Sequence, residues 1–299
     1  MYTVSYLKNK EKSKDVFRRM SSIVYSQGDN YHKAHFGERC FLCNLSDESY
    51  KNYIRLEDID SIKKAIIEER YRDVVDNFII DTYKDSPGKE LQYKFFSELK
   101  DNKILKYLAI GVLCERIFIA QRNNLSYNFQ YIRDIDVEEM FEFALTDDIL
   151  IKESPTYFIN SIMYLWNVLG RPEAINTSKV IERFTSQPLP TSSEEQYKYM
   201  YGITHLVIQL SGFYRIGVHN SELKQIILNF LDQHSLDFSL YVDIYTEASL
   251  CYKLLEGTTY NDWLLKKYLD EDGVRFFDNI SIKNEHSCVL YIMLFNLHI

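Results

Sequence analysis

Glycine and proline are scarce in this chain, 10 and 5 in 299 residues, so few positions break a helix or form the tight turns of a β architecture. Nowhere do about 18 uncharged apolar residues run together, which excludes a membrane-spanning helix. The charged N-terminal stretch MYTVSYLKNKEKSKDVFRRM precedes no apolar segment of signal-peptide length, and the expected location is cytoplasmic. The five cysteines, Cys40, Cys43, Cys114, Cys251 and Cys288, are odd in number and scattered. They make no disulfide framework, which fits a reducing compartment. A glycine-rich nucleotide loop, a nucleophile elbow and a binuclear metal signature are all missing. Positive charge is also short: the formal net charge is -8 and the pI about 5.5. That balance argues against binding a phosphate backbone, so neither nucleic acid nor membrane is expected as a partner. No cofactor is implied.

Aromatics are abundant, with 24 Tyr and 18 Phe. Large amphipathic side chains and few breakers suit packed helices whose tyrosines line a groove or central cavity. Apolar residues recur at three- and four-residue steps in VFRRMSSIVYSQ, ILKYLAIGVLCERIFIAQ, YFINSIMYLWNVLG, LKQIILNFLDQH and YVDIYTEASLCYKLLEG. Boundary signals agree: Ser154-Pro155 and the capping box in TSSEEQ (191–196) as starts, Gly170 and Gly257 as stops. The expectation is an all-α chain of roughly a dozen helices in antiparallel hairpins, closed into an α/α toroid or a helical solenoid. One domain spanning 1–299 is expected, with 1–187 and 191–299 as alternative halves flanking SQPLPTSSE.

The stretch YHKAHFGERCFLCNL (31–45) places two histidines and two cysteines close together. On an unbroken helix at about 1.5 Å per residue, His32 and Cys43 lie roughly 16 Å apart, too far for one zinc ion with ligands at about 2.0–2.3 Å. A break at Gly37 could fold the pairs together. Yet Phe36, Cys40 and Cys43 keep helical spacing, so an amphipathic helix with buried thiols is expected. His35 and Arg39 share one face of it. As two stacked cationic or hydrogen-bonding groups they favour an anionic ligand or carboxylate partner, a surface salt bridge being the plainer alternative.

In YKYMYGITHLVIQLSGFYRIGV, Thr204 and His205 sit in an apolar helix with Tyr201 and Gln209 one turn to either side of the histidine. Asp243 and Glu247 interrupt the apolar helix YVDIYTEASLCY at i and i+4, and His286 follows Glu285 at the head of the last helix. A lone histidine on such a face is often a satisfied core residue, the alternative for His205.

Together HFGERCFLCNLSDESYKNYIRLEDIDSI, YGITHLVIQLSGFYRIGV, DIYTEASLCYKLLEG and EHSCVLYIMLF resemble, in order, the landmarks of a bacterial family of all-helical proteins of unknown function, over roughly residues 30 to 295. The resemblance implies site positions rather than a reaction: His35, Arg39, Tyr201, Thr204, His205, Glu247 and His286. The chain lacks the export signal associated with some members. YNDWLLKKYLDEDGVRFFDN also resembles the helix, Asp-Gly turn and aromatic sequence of terpenoid-cyclase and prenyltransferase toroids, without an aspartate-rich metal motif.

These readings leave three functions open. The first is a small-molecule or glycan-like ligand-binding protein or acid–base enzyme, with His205, His35, Glu247 and His286 as catalytic residues and Arg39, Tyr201 and Thr204 as ligand-binding ones. The second is a protein–protein interaction scaffold of immunity, adaptor or effector type, without catalysis. The third, a divalent metal held by His205, Glu247 and His286, ranks last, and no metal is assigned.

Overall fold

Helix α1 (Val4–Gln27) buries Tyr6, Asn9, Ser13, Val16, Met20 and Val24, one stripe at steps of three and four that includes two polar residues. The computed structural model to which it belongs describes residues 4–80, 90–125, 137–168, 177–186, 190–233, 235–257, 262–269 and 277–298. Among these residues there are fifteen α-helices and no strand, so the fold class is all-α. No described helix is long and apolar enough to cross a membrane. The expected stop at Gly170 and the Asp272-Gly273 turn lie outside the described residues. The chain divides into two compact units, Met1–Ile54 with Ile203–Ile299, and Arg55–Gly202.

Helix α2 (Asn30–Leu42) starts where the Asp29 side chain accepts the backbone N–H of His32 at 2.9 Å. It ends in a left-handed Asn44 (φ 56°), with Asn44 N–H donating to Phe41 O and Leu45 N–H to Cys40 O. Gly37 does not break this helix. A Cβ there would stand 2.5 Å from the Cβ of Tyr50, so glycine permits the close approach of the 3-10 turn Glu48–Tyr53.

The unit Arg55–Gly202 holds α3 (Glu57–Ile67), α4 (Tyr71–Val75), α5 (Glu90–Glu98), α6 (Asn102–Arg122), α7 (Val137–Thr146), α8 (Asp148–Glu153), α9 (Pro155–Val168) and α10 (Thr177–Thr185). Helices α6 and α9 make its centre. Gly111 of α6 lets Ser161 of α9 come so close that a Cβ would meet its hydroxyl, and the Tyr107 hydroxyl donates to Phe158 O at 2.9 Å. Helix α11 (Ser193–Leu210) begins in this unit and ends in the other. Ser192 and Glu195 form the expected capping box at its start: Glu195 N–H donates to the serine hydroxyl, and Ser192 N–H to the glutamate carboxylate.

The chain returns to its first unit with α12 (Ser221–Gln233), α13 (Val242–Glu256), α14 (Asp262–Leu269) and α15 (Glu285–Asn296). Helix α15 is the core element. Its residues from Cys288 to Phe295 are 1% exposed or less, because α1, α2 and α13 all pack on it. A helix covered on every side has no solvent face to spend on polar residues. The polar groups that do occur here are therefore informative.

Candidate functional site

Four segments of one unit bring their polar residues together: α2, the end of α11 with its following turn, the middle of α13 and the head of α15. His35 Nδ1 donates to Glu285 Oε1 at 2.9 Å across 250 residues of sequence, both side chains being mostly buried. The Glu247 side chain, 1% exposed, lies between two other imidazoles, with His205 Nε2 at 3.8 Å from Oε1 and His286 Nε2 at 3.6 Å from Oε2. Those are charge-pair separations. The hydroxyl of Thr204 donates to Oε1, while Oε2 accepts no hydrogen bond. The imidazoles face outward, His205 at 23% and His286 at 37% side-chain exposure, and the His35 and His286 rings are 5.6 Å apart. Exposed Tyr31 stacks on His35 with centroids 5.5 Å apart.

Electrostatics follow from this layering. Burial, then the neighbouring Arg39 charge, hold His35 down to about 4 against the opposing pull of Glu285. His35 is thus neutral at neutral pH and donates its Nδ1 proton to Glu285. Burial pushes Glu285 up, but His35, His286 and Arg39 outweigh it, so its carboxyl lies below the ordinary range and is ionised. Glu247 has the same balance: burial raises it, and His205, His286 and Thr204 bring it below the ordinary value. Each carboxylate stands behind imidazoles rather than at the surface.

The turn after α11 is unusual. Gly212, Phe213 and Tyr214 all have left-handed φ (60°, 59° and 67°), and only the first is glycine. Gly212 closes the helix, with Gly212 N–H donating to Gln209 O and Phe213 N–H to Ile208 O. Ser211 pins the rest: its hydroxyl accepts Tyr214 N–H at 2.8 Å, and its carbonyl accepts the N–H groups of Arg215 and Ile216. Each non-glycine residue in this region costs about 1–2 kcal/mol. The cost sets two neighbours of α2. Buried Tyr214 presents its ring to Arg39, 6.0 Å from Cζ to centroid, and Arg215 reaches Glu38 at 3.9 Å.

Of the residues singled out in sequence, His35, Arg39, Thr204, His205, Glu247 and His286 come together in this unit. Tyr201, one turn before His205 on α11, falls in the other unit and stands edge-on to Tyr197 at 4.8 Å. Glu247 occupies a buried place behind His205 and His286, where it orients them. Asp243 accepts the N–H of Ile244 near the head of α13. Of the opening stretch, His32 pairs with Asp29, while Cys40 and Cys43 are buried free thiols, Cys43 pushed up to about 12 by burial. Sequence reasoning gave no role to Glu285, Glu38, Tyr214 or Arg215. The adjacency Glu285-His286 and the aromatic pair after Gly212 were the available signals. Among the described residues no group of three or more His, Cys, Asp or Glu side chains is arranged to hold a metal ion.

No family model, no curated protein and no solved structure matches this chain.

Proposed function

We propose that this chain binds a polar, glycan-like small molecule and acts on it by acid–base chemistry, with His205 and His286 as the proton carriers. The observation that carries the reading is a buried carboxylate, Glu247, held by Thr204 between two partly exposed imidazoles. Each imidazole has a carboxylate behind it and an edge open to solvent, so each can carry a proton to or from a bound substrate. In a turnover the neutral imidazole takes a proton from substrate and the imidazolium gives one to it; exchange with water restores the starting state. Neutral His35, its ring 5.6 Å from that of His286, is the third polar contact. The resemblance to a bacterial family of unknown function belongs to this proposal and supplies the same positions, though no reaction.

The test sets function against stability. On a panel of chromogenic glycosides and oligosaccharide fragments, His205→Ala should abolish binding or turnover while leaving Tm nearly unchanged. A purely structural His205 would instead lower stability by about 1–3 kcal/mol with no ligand response to lose. In that event the interaction-scaffold reading takes its place.

A further inference from the structure

Arg39 is the odd cation of the cluster. Among the described residues it forms no ion pair. Its Nη1 donates to the backbone carbonyl of His35 at 3.3 Å, its guanidinium lies against the Tyr214 ring, and its buried Nε has no hydrogen-bond partner. The two nearby carboxylates, Glu285 on His35 and Glu38 facing Arg215, raise Arg39 by their charge without pairing with it directly. A buried guanidinium N–H left without an acceptor is costly. Its position is also not a default of the helix: the ring that holds it comes from a turn with two non-glycine residues in left-handed conformation. Strain retained at one spot points to a constraint other than stability.

We infer that Arg39 is the anion-recognising group of this site and that the ligand carries a carboxylate, with Tyr214 as a positioning residue that fixes the guanidinium. The inference rests on the acid–base reading for the identity of the reacting histidines. A carboxylate is favoured over a phosphate by the surroundings. Glu38, Glu247 and Glu285 are three negative charges in the same cluster, and a dianion meets about twice the repulsion that a monoanion does. A planar carboxylate also matches the guanidinium fork.

The probe is sodium acetate, titrated against sodium chloride at equal ionic strength, with sodium phosphate as a separate arm. Saturable shifts at the Arg39 side-chain nitrogens and a rise in Tm beyond the chloride control are expected. Arg39→Gln should weaken acetate by at least about tenfold, the loss of a charge-assisted contact, with Arg39→Lys partly restoring it. Tyr214→Leu should weaken acetate as well. The unsubstituted protein's spectra decide even where a variant fails to fold. The inference is overturned if acetate does no more than chloride, if its effect survives Arg39→Gln, or if phosphate is preferred. Turnover that depends on His205, without an acetate response, sinks this inference alone. An Arg39-dependent acetate response with no effect of His205→Ala on turnover upholds it and sinks the acid–base reading.

Discussion

Two cations are drawn into the same helical unit and treated in opposite ways. Lys253 on α13 is 8% exposed, and its Nζ donates to the carbonyls of Leu294 (3.0 Å) and Leu297 (2.7 Å), completing groups that the end of α15 leaves without helical partners. Arg39 on α2 has a ring, one carbonyl and a buried Nε without a hydrogen-bond partner. Both incur the cost of leaving water: burial lowers Lys253, whereas Tyr214, Glu38, Tyr31 and Glu285 around Arg39 raise it in spite of burial. The lysine fastens two helices together. The arginine keeps a donor without an acceptor, and the imidazoles around Glu247 are partly exposed and only loosely paired. Polar groups with every donor satisfied and polar groups without are thus distinguishable within one core.

Glu247 is where the comparison breaks most visibly. Glu247→Ala removes a buried side chain, orphans the Thr204 hydroxyl and opens a cavity, for an expected loss of about 2–4 kcal/mol in denaturant unfolding. Glu247→Gln keeps the volume and should cost less than half of that. If Glu247→Gln unfolds the protein as readily as Glu247→Ala, the carboxylate is a fold determinant like Lys253, and the contrast between the two regions fails.

The two regions also predict opposite ends of the pH-stability curve. Burial lowers Lys253 to about 8 from an ordinary value near 10.4, so between these limits the unfolded chain binds the extra proton. Stability therefore rises with pH across that window, by up to about 3 kcal/mol for this group, and Lys253→Met should flatten the rise. His35, lowered to about 4 from about 6.5, behaves in the same sense lower down: below 6.5 the unfolded chain takes up a proton that the folded one refuses. Stability then falls as pH drops from about 6.5 to 4, again by at most about 3 kcal/mol, and His35→Gln should remove that part of the acid limb. Chemical denaturation in buffers from pH 4 to 10 measures both. A slope unchanged in either variant would show that other groups carry it.

Much of this was legible in the sequence, and for physical reasons. Helical periodicity identifies helices because burial of one face is a local pattern, and the starts at Pro155 and Ser193 and the stop at Gly257 follow from capping chemistry confined to a few residues. His35 and Arg39 could be placed on one face by spacing alone. Their partners could not. Glu285 meets His35 only after α15 has been threaded between α1, α2 and α13, and a carboxylate beside a histidine in sequence gives no sign that it serves a different histidine. The left-handed run after α11 was half visible: Gly212 is an ordinary helix terminator, whereas Phe213 and Tyr214 contradict the local preference for such a backbone. The grouping of residues 1–54 with 203–299 is equally a matter of long-range contact.

The smallest effect concerns the two kinds of left-handed residue. At Gly257 the chain leaves α13 with φ 71°, Gly257 N–H donates to Lys253 O, and a Cβ would meet nothing within 4 Å. Space is open there, so Gly257→Ala should cost only the backbone preference, about 1 kcal/mol, and leave any acetate response untouched. At Phe213 the chain already bears that kind of cost. Phe213→Gly should return part of it to stability while freeing the turn that fixes Tyr214 over Arg39, so that the Arg39 side-chain resonances broaden or shift. The pair of variants separates backbone strain kept for position from a glycine kept for geometry. If Phe213→Gly leaves Arg39 unchanged, the strained turn does not hold the guanidinium, and Tyr214 loses its assigned role.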